Sequence, residues 1–337
     1  MPTLGFPPRI PLAHTPTPLH LLPRVSEALG VRVWVKRDDL TGSALTGNKV
    51  RKLEFCLAQA RAQGCDALVT CGGLQSNHCR ATALAGARLG LRVRLVLRGE
   101  EGAGTADGNL FLDYLAGAEV TTFPLAEYRS NLQGLLQDAA RSLEAEGLSP
   151  FVIPTGASDG IGIWGYLGAV DELANDFAAA GIEPSHIVSA TGSGGTQAGL
   201  SLGAWLKGWQ AKVVGFAVCD NEAYFQNKVR ADMREWQQRF GGICEGVAEV
   251  DVEAVPVSVD DRFIGPGYAR ADAGVFDLIR WLAANEGIVL DPVYTGKAFY
   301  GLWQTLERGE WPDARDVVFV HTGGIFGTFA QREQFAF

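Results

Sequence analysis

Short apolar runs alternate with segments of helical spacing along nearly the whole chain. Between residues 48 and 64 the apolar positions Val50, Leu53, Leu57 and Ala60 recur at helical intervals and stop at Gly64. That pattern predicts an amphipathic helix closed by a glycine stop signal. Residues 67–71 form a short apolar run, followed by a polar turn and the small-residue segment 80–89. Residues 91–97, LRVRLVL, alternate as a half-buried strand does, and 118–123 and 151–154 read as further short strands. The same grammar returns later: 187–191 is apolar and precedes GSGGTQAG, 213–218 follows a predicted helix, and 317–321 leads into TGGIFGTF. Strands alternating with helices predict an α/β fold of parallel sheets covered by helices on both faces. In such sheets ligands bind beyond the carboxyl ends of the strands, where the three polar turns fall. The chain holds no low-complexity tract and no repeat of solenoid period.

Composition narrows the picture. A length of 337 residues predicts one large or two medium domains, and 47% hydrophobic with 20% charged residues is ordinary globular composition. Lys and Arg number 29 against 38 Asp and Glu, a net charge of −9. Such a chain repels phosphate backbones and anionic lipid surfaces, which disfavours nucleic acid and membranes as partners. No apolar run approaches the roughly 18 residues of a spanning helix. The first 20 residues are proline-rich without a continuous apolar core, so the expectation is a cytoplasmic protein with no signal peptide. The six cysteines include no CxxC pair, and buried thiols in a reducing compartment are the favoured reading. Cys71 and Cys79 bracket the first polar turn, where either could touch a ligand.

Candidate chemistry gathers at the turns. Lys49 stands at the start of the helix predicted from residue 48, and a lysine amine can form a Schiff base with an aldehyde. The surrounding DLTGSALTGNK is spaced like a P-loop through Gly42 and Gly47, but Asn48 precedes the lysine and Val50 follows it, so the ATPase reading fails. Lys49, Arg51 and Lys52 crowd positive charge into a first helical turn, where the helix dipole disfavours cations; that conflict points to an anionic ligand nearby. After the next strand, Gln75, Ser76, Asn77 and His78 form a polar strand-to-helix turn able to grip a carboxylate through backbone N–H groups. The loop TGSGGTQAG offers the glycines Gly192, Gly194 and Gly195 together with Ser193 and Thr196. A dinucleotide fingerprint would need glycine at 197, which is Gln197, so a monophosphate cradle fits better. In HTGG, Thr322 could hydrogen-bond a ring nitrogen, whereas His321 reads as a satisfied core histidine. Tyr268 and Tyr294 sit in glycine- and proline-rich loops, where their rings could stack on a planar ligand or be buried loop tyrosines.

In their order along the chain, KRDDLTG, GNKVRKLEF, GGLQSNHCR, VIPTGASDGIGIWGY, GSGGTQAG, VLDPVYTGKA and HTGG resemble the motifs of the fold-type II pyridoxal-phosphate enzymes. Within them the resemblance is to the branch of D-cysteine desulfhydrase and 1-aminocyclopropane-1-carboxylate (ACC) deaminase, and it covers nearly the whole chain. It implies a tryptophan synthase β-like architecture of two doubly wound, three-layer αβα domains: a large one from residues 1–48 and 152–337 and a small one from 49–151. It implies pyridoxal 5'-phosphate bound through Lys49 as the Schiff-base lysine, with Asn77 on the phenolic oxygen. Lys52 and the loop Gly192, Ser193, Gly194, Gly195 and Thr196 would hold the phosphate. Ser76, Asn77 and His78 would receive the substrate carboxylate, Thr322 the pyridine nitrogen, and Tyr268 and Tyr294 would lie beside cofactor and substrate.

ACC deaminases resemble this chain but carry Gln in place of His78 and Glu in place of Thr295, so Thr295 and Thr322 would offer the pyridine nitrogen neutral hydroxyls alone. The implied reaction is therefore β-elimination from D-cysteine to pyruvate, ammonia and hydrogen sulfide, in a homodimer. Lys49 would remove the α-proton and Tyr268 or Tyr294 would assist the departing sulfur. The rivals are ACC deamination, elimination from L-cysteate, D-serine or β-chloro-D-alanine, and a non-catalytic pyridoxal-phosphate binding protein.

Overall fold

The computed structural model describes residues 4–99 and 106–336. The chain begins with strand β1 (Leu19–Leu21), helix α1 (Pro23–Leu29) and strand β2 (Arg32–Lys36), then enters helix α2 (Asn48–Ala62). A run of strand–helix units follows: β3 (Ala67–Gly73), α3 (Asn77–Leu89), β4 (Arg92–Arg98), α4 (Gly108–Leu115), β5 (Glu119–Phe123), α5 (Leu125–Ala145) and β6 (Pro150–Val152). The second half carries α6 (Ile163–Ala180), β7 (His186–Thr191), α7 (Gly195–Leu206), β8 (Lys212–Ala217), α8 (Glu222–Phe240) and β9 (Ser258–Asp260). It closes with α9 (Ala273–Glu286), α10 (Thr295–Glu307), β10 (Asp316–Val320) and α11 (Ile325–Phe329). Every strand anticipated from the apolar runs is present within one or two residues of its expected bounds.

Two sheets result. One has the order β5-β4-β3-β6 and is wholly parallel. The other runs β1-β2-β10-β7-β8-β9, parallel except for the antiparallel β1 at its edge. Helices cover both faces of each. On the six-stranded sheet, Val33, Val188 and Phe319 pack with α1, α9 and α10, while Ile187, Val213 and Val318 pack with α6 and α7. On the four-stranded sheet, Val69 and Val96 meet α5, and Leu68, Leu95 and Leu97 meet α2 and α3. Burial on both faces explains why β3 and β10 are buried at every position and read as continuous apolar runs rather than alternations. In β4 the alternation of LRVRLVL stops at Leu95, and Leu95, Val96 and Leu97 are all buried.

The six-stranded sheet also fixes where a ligand can sit. The chain leaves β7 toward β8 on one side, and β10 returns on the other. A strand order that diverges this way opens a crevice at the carboxyl ends, into which the turns after β7 and β10 both project. Helix α2 lies against α3 and α6, and nine of its first ten residues are buried, the charged Arg51, Lys52 and Glu54 among them. Its apolar spacing therefore understates its burial. Among the described residues no helix is long and apolar enough to cross a membrane.

Candidate active site

Lys49 is held by its neighbour. The Asn48 amide donates to the Thr322 carbonyl at 3.1 Å, and Asn48 Nδ2 donates to Thr196 Oγ1 at 3.0 Å. One residue thus ties the start of α2 to the turns after β10 and β7. Lys49 Nζ lies 3.4 Å from the Gly156 carbonyl. Gly156 has φ +68°, and a Cβ there would stand 2.9 Å from that amine and 2.4 Å from Ser193 Oγ, so glycine keeps the space beside the lysine open. Burial pulls the Lys49 pKa down to about 8, which leaves much more neutral amine near neutral pH than an ordinary lysine offers.

Lys52, one turn on, is fully buried. Its Nζ donates to the Gly156 carbonyl at 2.8 Å and to Ser158 Oγ at 3.0 Å. Ser158 Oγ also accepts from the Gly195 amide at 3.1 Å and meets Ser193 Oγ at 2.8 Å. Burial and the Lys49 charge hold the Lys52 pKa well below the usual lysine value, against the opposing pull of Asp232 and Asp159. No carboxylate contacts this ammonium among the described residues. It faces the N-terminus of α7, whose first-turn amides have no intrahelical acceptor, a ready anion site.

The third cation of that turn is spent elsewhere. Arg51 donates to both oxygens of Asp38 (2.8 and 2.9 Å) and to both of Glu172 (2.7 and 2.9 Å). Asp38 also accepts from Tyr166 at 2.6 Å and Thr17 at 2.9 Å, and the Arg51 charge with these donors outweighs burial and lowers its pKa. The charge crowding read from the sequence is therefore partly a buried structural network, with Lys49 lining the crevice and Lys52 just behind its wall.

Across from Lys49, Ser76 caps α3, its Oγ accepting from the Cys79 amide at 3.2 Å. Asn77 Oδ1 accepts from Asn109 Nδ2 at 3.1 Å, and the same Nδ2 donates to the Gln75 carbonyl at 3.1 Å. Occupation of its oxygen leaves the Asn77 Nδ2 free to donate into the crevice. His78 is fixed by Thr70: the Thr70 hydroxyl donates to the Ile153 carbonyl at 2.8 Å, so at 2.8 Å from His78 Nε2 it must accept. The imidazole is thus the Nε2–H tautomer, neutral because burial and the two lysines hold its pKa well below the usual value. Its Nδ1 has no partner among the described residues and can only accept, so the first-turn amides of α3 are better placed than this ring to receive an anion.

The far wall is aromatic. Tyr268 and Tyr294 hydroxyls share a short hydrogen bond, with ring centroids 5.9 Å apart. Burial raises both pKa values, so both phenols are protonated at neutral pH. Gly192 leaves room for the Tyr294 ring, which would lie 3.0 Å from a Cβ there. Lys297, buried on α10, donates to the carbonyls of Ile264 and Gly267 at 2.7 Å and of Val218 at 3.3 Å, pinning the loop that carries Tyr268.

Lys49, Ser76, Asn77, His78, Gly192, Ser193, Gly194, Thr196, Tyr268, Tyr294 and Thr322 all line one cleft of about 1190 Å³ between the two sheets. Lys52 and Gly195 stand behind its surface, joined to it through Ser158. The Thr322 hydroxyl has no partner among the described residues, so it is free to meet a ring nitrogen. Thr295 is a different case. Its Oγ1 donates to Asp291 Oδ2 at 2.6 Å and accepts from the Asp291 amide at 2.9 Å, which ties it to the turn before α10. The pairing of Thr295 with Thr322 expected from sequence is corrected accordingly. Cys71 and Cys79 are likewise buried behind the wall, whereas Cys219 lines it, its thiol pKa pushed up to about 12 by burial. His321 is satisfied as expected, with Nε2 3.1 Å from the Val289 carbonyl and Nδ1 accepting from Gly323.

Sequence reasoning assigned no role to Asn48, Ser158, Asn109 or Lys297. Ser158 was reachable, because TGASDG follows a strand just as the other polar turns do. Asn109 meets its partner Asn77 32 residues away, a pairing no local pattern carries.

The family described as pyridoxal-phosphate dependent enzyme matches residues 10–323. A bifunctional D-cysteine desulfhydrase/ACC deaminase of Arabidopsis thaliana is 40% identical over 96% of this chain and 80% of its own length. A D-cysteine desulfhydrase of Klebsiella pneumoniae is 38% identical over 96% of both chains. Among solved structures, an ACC deaminase homologue superposes with a TM-score of 0.86 at 38% identity, covering 97% of this chain and 95% of that one. The matched span takes in the lysine of α2, the polar turn of α3 and the turns after β7 and β10, and the chain belongs to the pyridoxal-phosphate dependent enzymes.

Proposed function

We propose that this protein is a β-elimination lyase that converts D-cysteine and water to pyruvate, ammonia and hydrogen sulfide. The observation that carries the reading is a basic amine and a protonated phenol pair, Lys49 and Tyr268–Tyr294, opening into one cleft whose Thr322 end has a hydroxyl and no free carboxylate. Of the acids beside that end, Asp291 is consumed by the N-terminus of α10, accepting from Val293, Tyr294 and Thr295 amides, and Asp39 is paired with Arg37.

The residues fit the cofactor. Lys52 is a buried ammonium with no carboxylate on it among the described residues, beside first-turn amides of α7 that lack an intrahelical acceptor, which is a seat for phosphate. Pyridoxal phosphate, when bound, supplies an aldehyde that condenses with amines and a conjugated ring that takes up the electron pair left at the α-carbon. Lys52, the α7 amides and Thr196 Oγ1 would hold the phosphate; Asn77 Nδ2 would serve the phenolic oxygen and the Thr322 hydroxyl the ring nitrogen. The Ser76 hydroxyl and the Asn77 and His78 amides orient the substrate carboxylate. Lys49 Nζ, neutral often enough near pH 8, takes the α-proton, and the phenol pair supplies a proton to the leaving sulfur.

ACC deamination is the second reading, favoured by the Arabidopsis relative whose name carries both activities. We further infer a cytoplasmic homodimer built from a small domain near residues 49–151 and a large one from the remainder. The strands of the four-stranded sheet, all within 67–152, support that division. Exposed Phe111, Tyr114 and Leu115 on α4, beside Ile325 and Phe329 on the adjoining α11, form an apolar patch suited to a second copy. The test is a pyruvate and sulfide assay on purified protein given D-cysteine or L-cysteine, with 2-oxobutyrate followed from ACC. Pyruvate from D-cysteine alone supports the reading; 2-oxobutyrate without sulfide from either cysteine replaces it with deamination.

A further inference from the structure

Arg98 ends β4, at the rim of the four-stranded sheet facing the other sheet across the cleft. Its guanidinium lies over the Tyr268 ring at 3.8 Å from the centroid, with the Tyr128 ring at 6.0 Å. No carboxylate pairs with it among the described residues. A Cβ on Gly73 would stand 3.3 Å from Tyr268 Cε1 and 3.4 Å from Arg98 Nε, so the tyrosine, the arginine and the turn leading to Ser76 meet at one point. The two phenols beside this cation are otherwise alike, each offering one proton and sharing one short hydrogen bond.

Resting on the desulfhydrase reading above, we propose that Arg98 is the positioning residue that makes Tyr268, rather than Tyr294, the acid of the pair. A guanidinium stacked on a phenol ring stabilises the negative charge that the ring takes on when its proton leaves. The Tyr294 hydroxyl then donates to the Tyr268 oxygen, giving the anion a second stabilising contact. The directions of the acidities agree: the Arg98 charge and the Tyr294 hydrogen bond both oppose the burial that raises Tyr268, whereas every named neighbour of Tyr294 raises it further. In the elimination, the electron pair left at Cα forms the Cα–Cβ double bond as the Cβ–S bond breaks. The sulfur takes that bond's electrons and the Tyr268 proton, leaving as hydrogen sulfide, and water reprotonates the phenolate.

A poor leaving group needs this proton and chloride does not, so the substrate pair D-cysteine and β-chloro-D-alanine separates acid assistance from everything else Arg98 might do. Arg98→Ala is expected to lower kcat for D-cysteine about 10-fold or more while β-chloro-D-alanine elimination stays within about 2-fold. Arg98→Lys, which keeps the charge without the flat stack, recovers part of the loss. Removing the cation raises the Tyr268 pKa, so the basic limb of the D-cysteine kcat profile moves to higher pH. Independently of turnover, phenolate absorbance titrated in wild type and R98A, each corrected by its Tyr268→Phe counterpart, should rise by about 1 pH unit in R98A. Equal losses on both substrates, or an unmoved phenolate titration, overturn the role given to Arg98. Wild-type protein that releases pyruvate from neither substrate, with the phenolate shift still present, overturns the desulfhydrase reading and leaves the Arg98–Tyr268 coupling standing.

Discussion

Replacing Lys52 with methionine separates what the buried ammonium does for folding from what it does for the cofactor. Methionine keeps the length and loses the charge. In the cofactor-free protein two hydrogen bonds disappear, to the Gly156 carbonyl and Ser158 Oγ, at a cost of about 1 kcal/mol each. Ser158 Oγ retains Gly195 and Ser193 as partners, so it is not orphaned. Against that loss stands the removal of a cation buried without a carboxylate, whose desolvation is worth several kcal/mol. Cofactor-free K52M is therefore expected to be as stable as wild type, or more stable by about 1–3 kcal/mol, in urea unfolding.

Cofactor binding moves the other way. A charge-assisted bond to phosphate contributes about 1.5–3 kcal/mol, so the variant's dissociation constant rises roughly 10- to 150-fold in a visible-absorbance titration. The pH dependence carries a further sign. Lys52 holds its proton less tightly folded than unfolded. Between the two pKa values the unfolded chain binds more protons, so wild-type stability rises with pH there. K52M lacks that slope, and its advantage narrows as pH climbs toward the ordinary lysine value. A cofactor-free K52M destabilised by more than about 2 kcal/mol together with an unchanged cofactor affinity would refute the reasoning, because Lys52 would then be a structural lysine.

Four further outcomes follow from the same geometry. Arg51→Met leaves Asp38 buried without its cation and should cost about 3–5 kcal/mol of stability, while the fraction that folds binds cofactor normally; weakened cofactor binding instead would return Arg51 to the phosphate site. Thr295→Val removes both its hydrogen bonds with Asp291 and should cost about 1–3 kcal/mol in thermal unfolding with kcat unchanged, a result that a hydroxyl on the pyridine nitrogen would not give. Acylation of Lys49 in cofactor-free protein, scored against Lys49→Ala, should have its midpoint near pH 8. Lys49→Ala itself should keep its circular dichroism and lose pyruvate formation; residual elimination near wild-type rate would remove Lys49 from the chemistry.

The apolar runs located the strands because a parallel strand covered on both faces is predominantly apolar, and β3, β7 and β10 are buried along nearly their whole length. The polar turns were legible for the complementary reason: Ser76 to His78 and Gly192 to Thr196 interrupt apolar segments with groups that would be costly there unless a ligand or a helix cap used them. Local pattern failed where a residue's role depends on a distant partner. Arg51 reads like Lys52 until Asp38 and Glu172 are seen to claim it. Thr295 and Thr322 both follow the motif order, yet Asp291 takes the hydroxyl of one and leaves the other free.

By itself, the sequence determined the alternation of strands and helices, the cluster of turns at the strand ends and the lysine among them, because these rest on spacing and residue type within a few turns of chain. Only the tertiary structure decided which cations face the cleft, which histidine tautomer stands in it and which carboxylates are spent. It also decided that Arg98, at the end of β4, meets Tyr268 and through it Tyr294, which come from distant loops of the chain. Side-chain charge and hydrogen-bonding capacity are fixed by composition, but their availability to a ligand is what remains after every nearer partner in space has been satisfied.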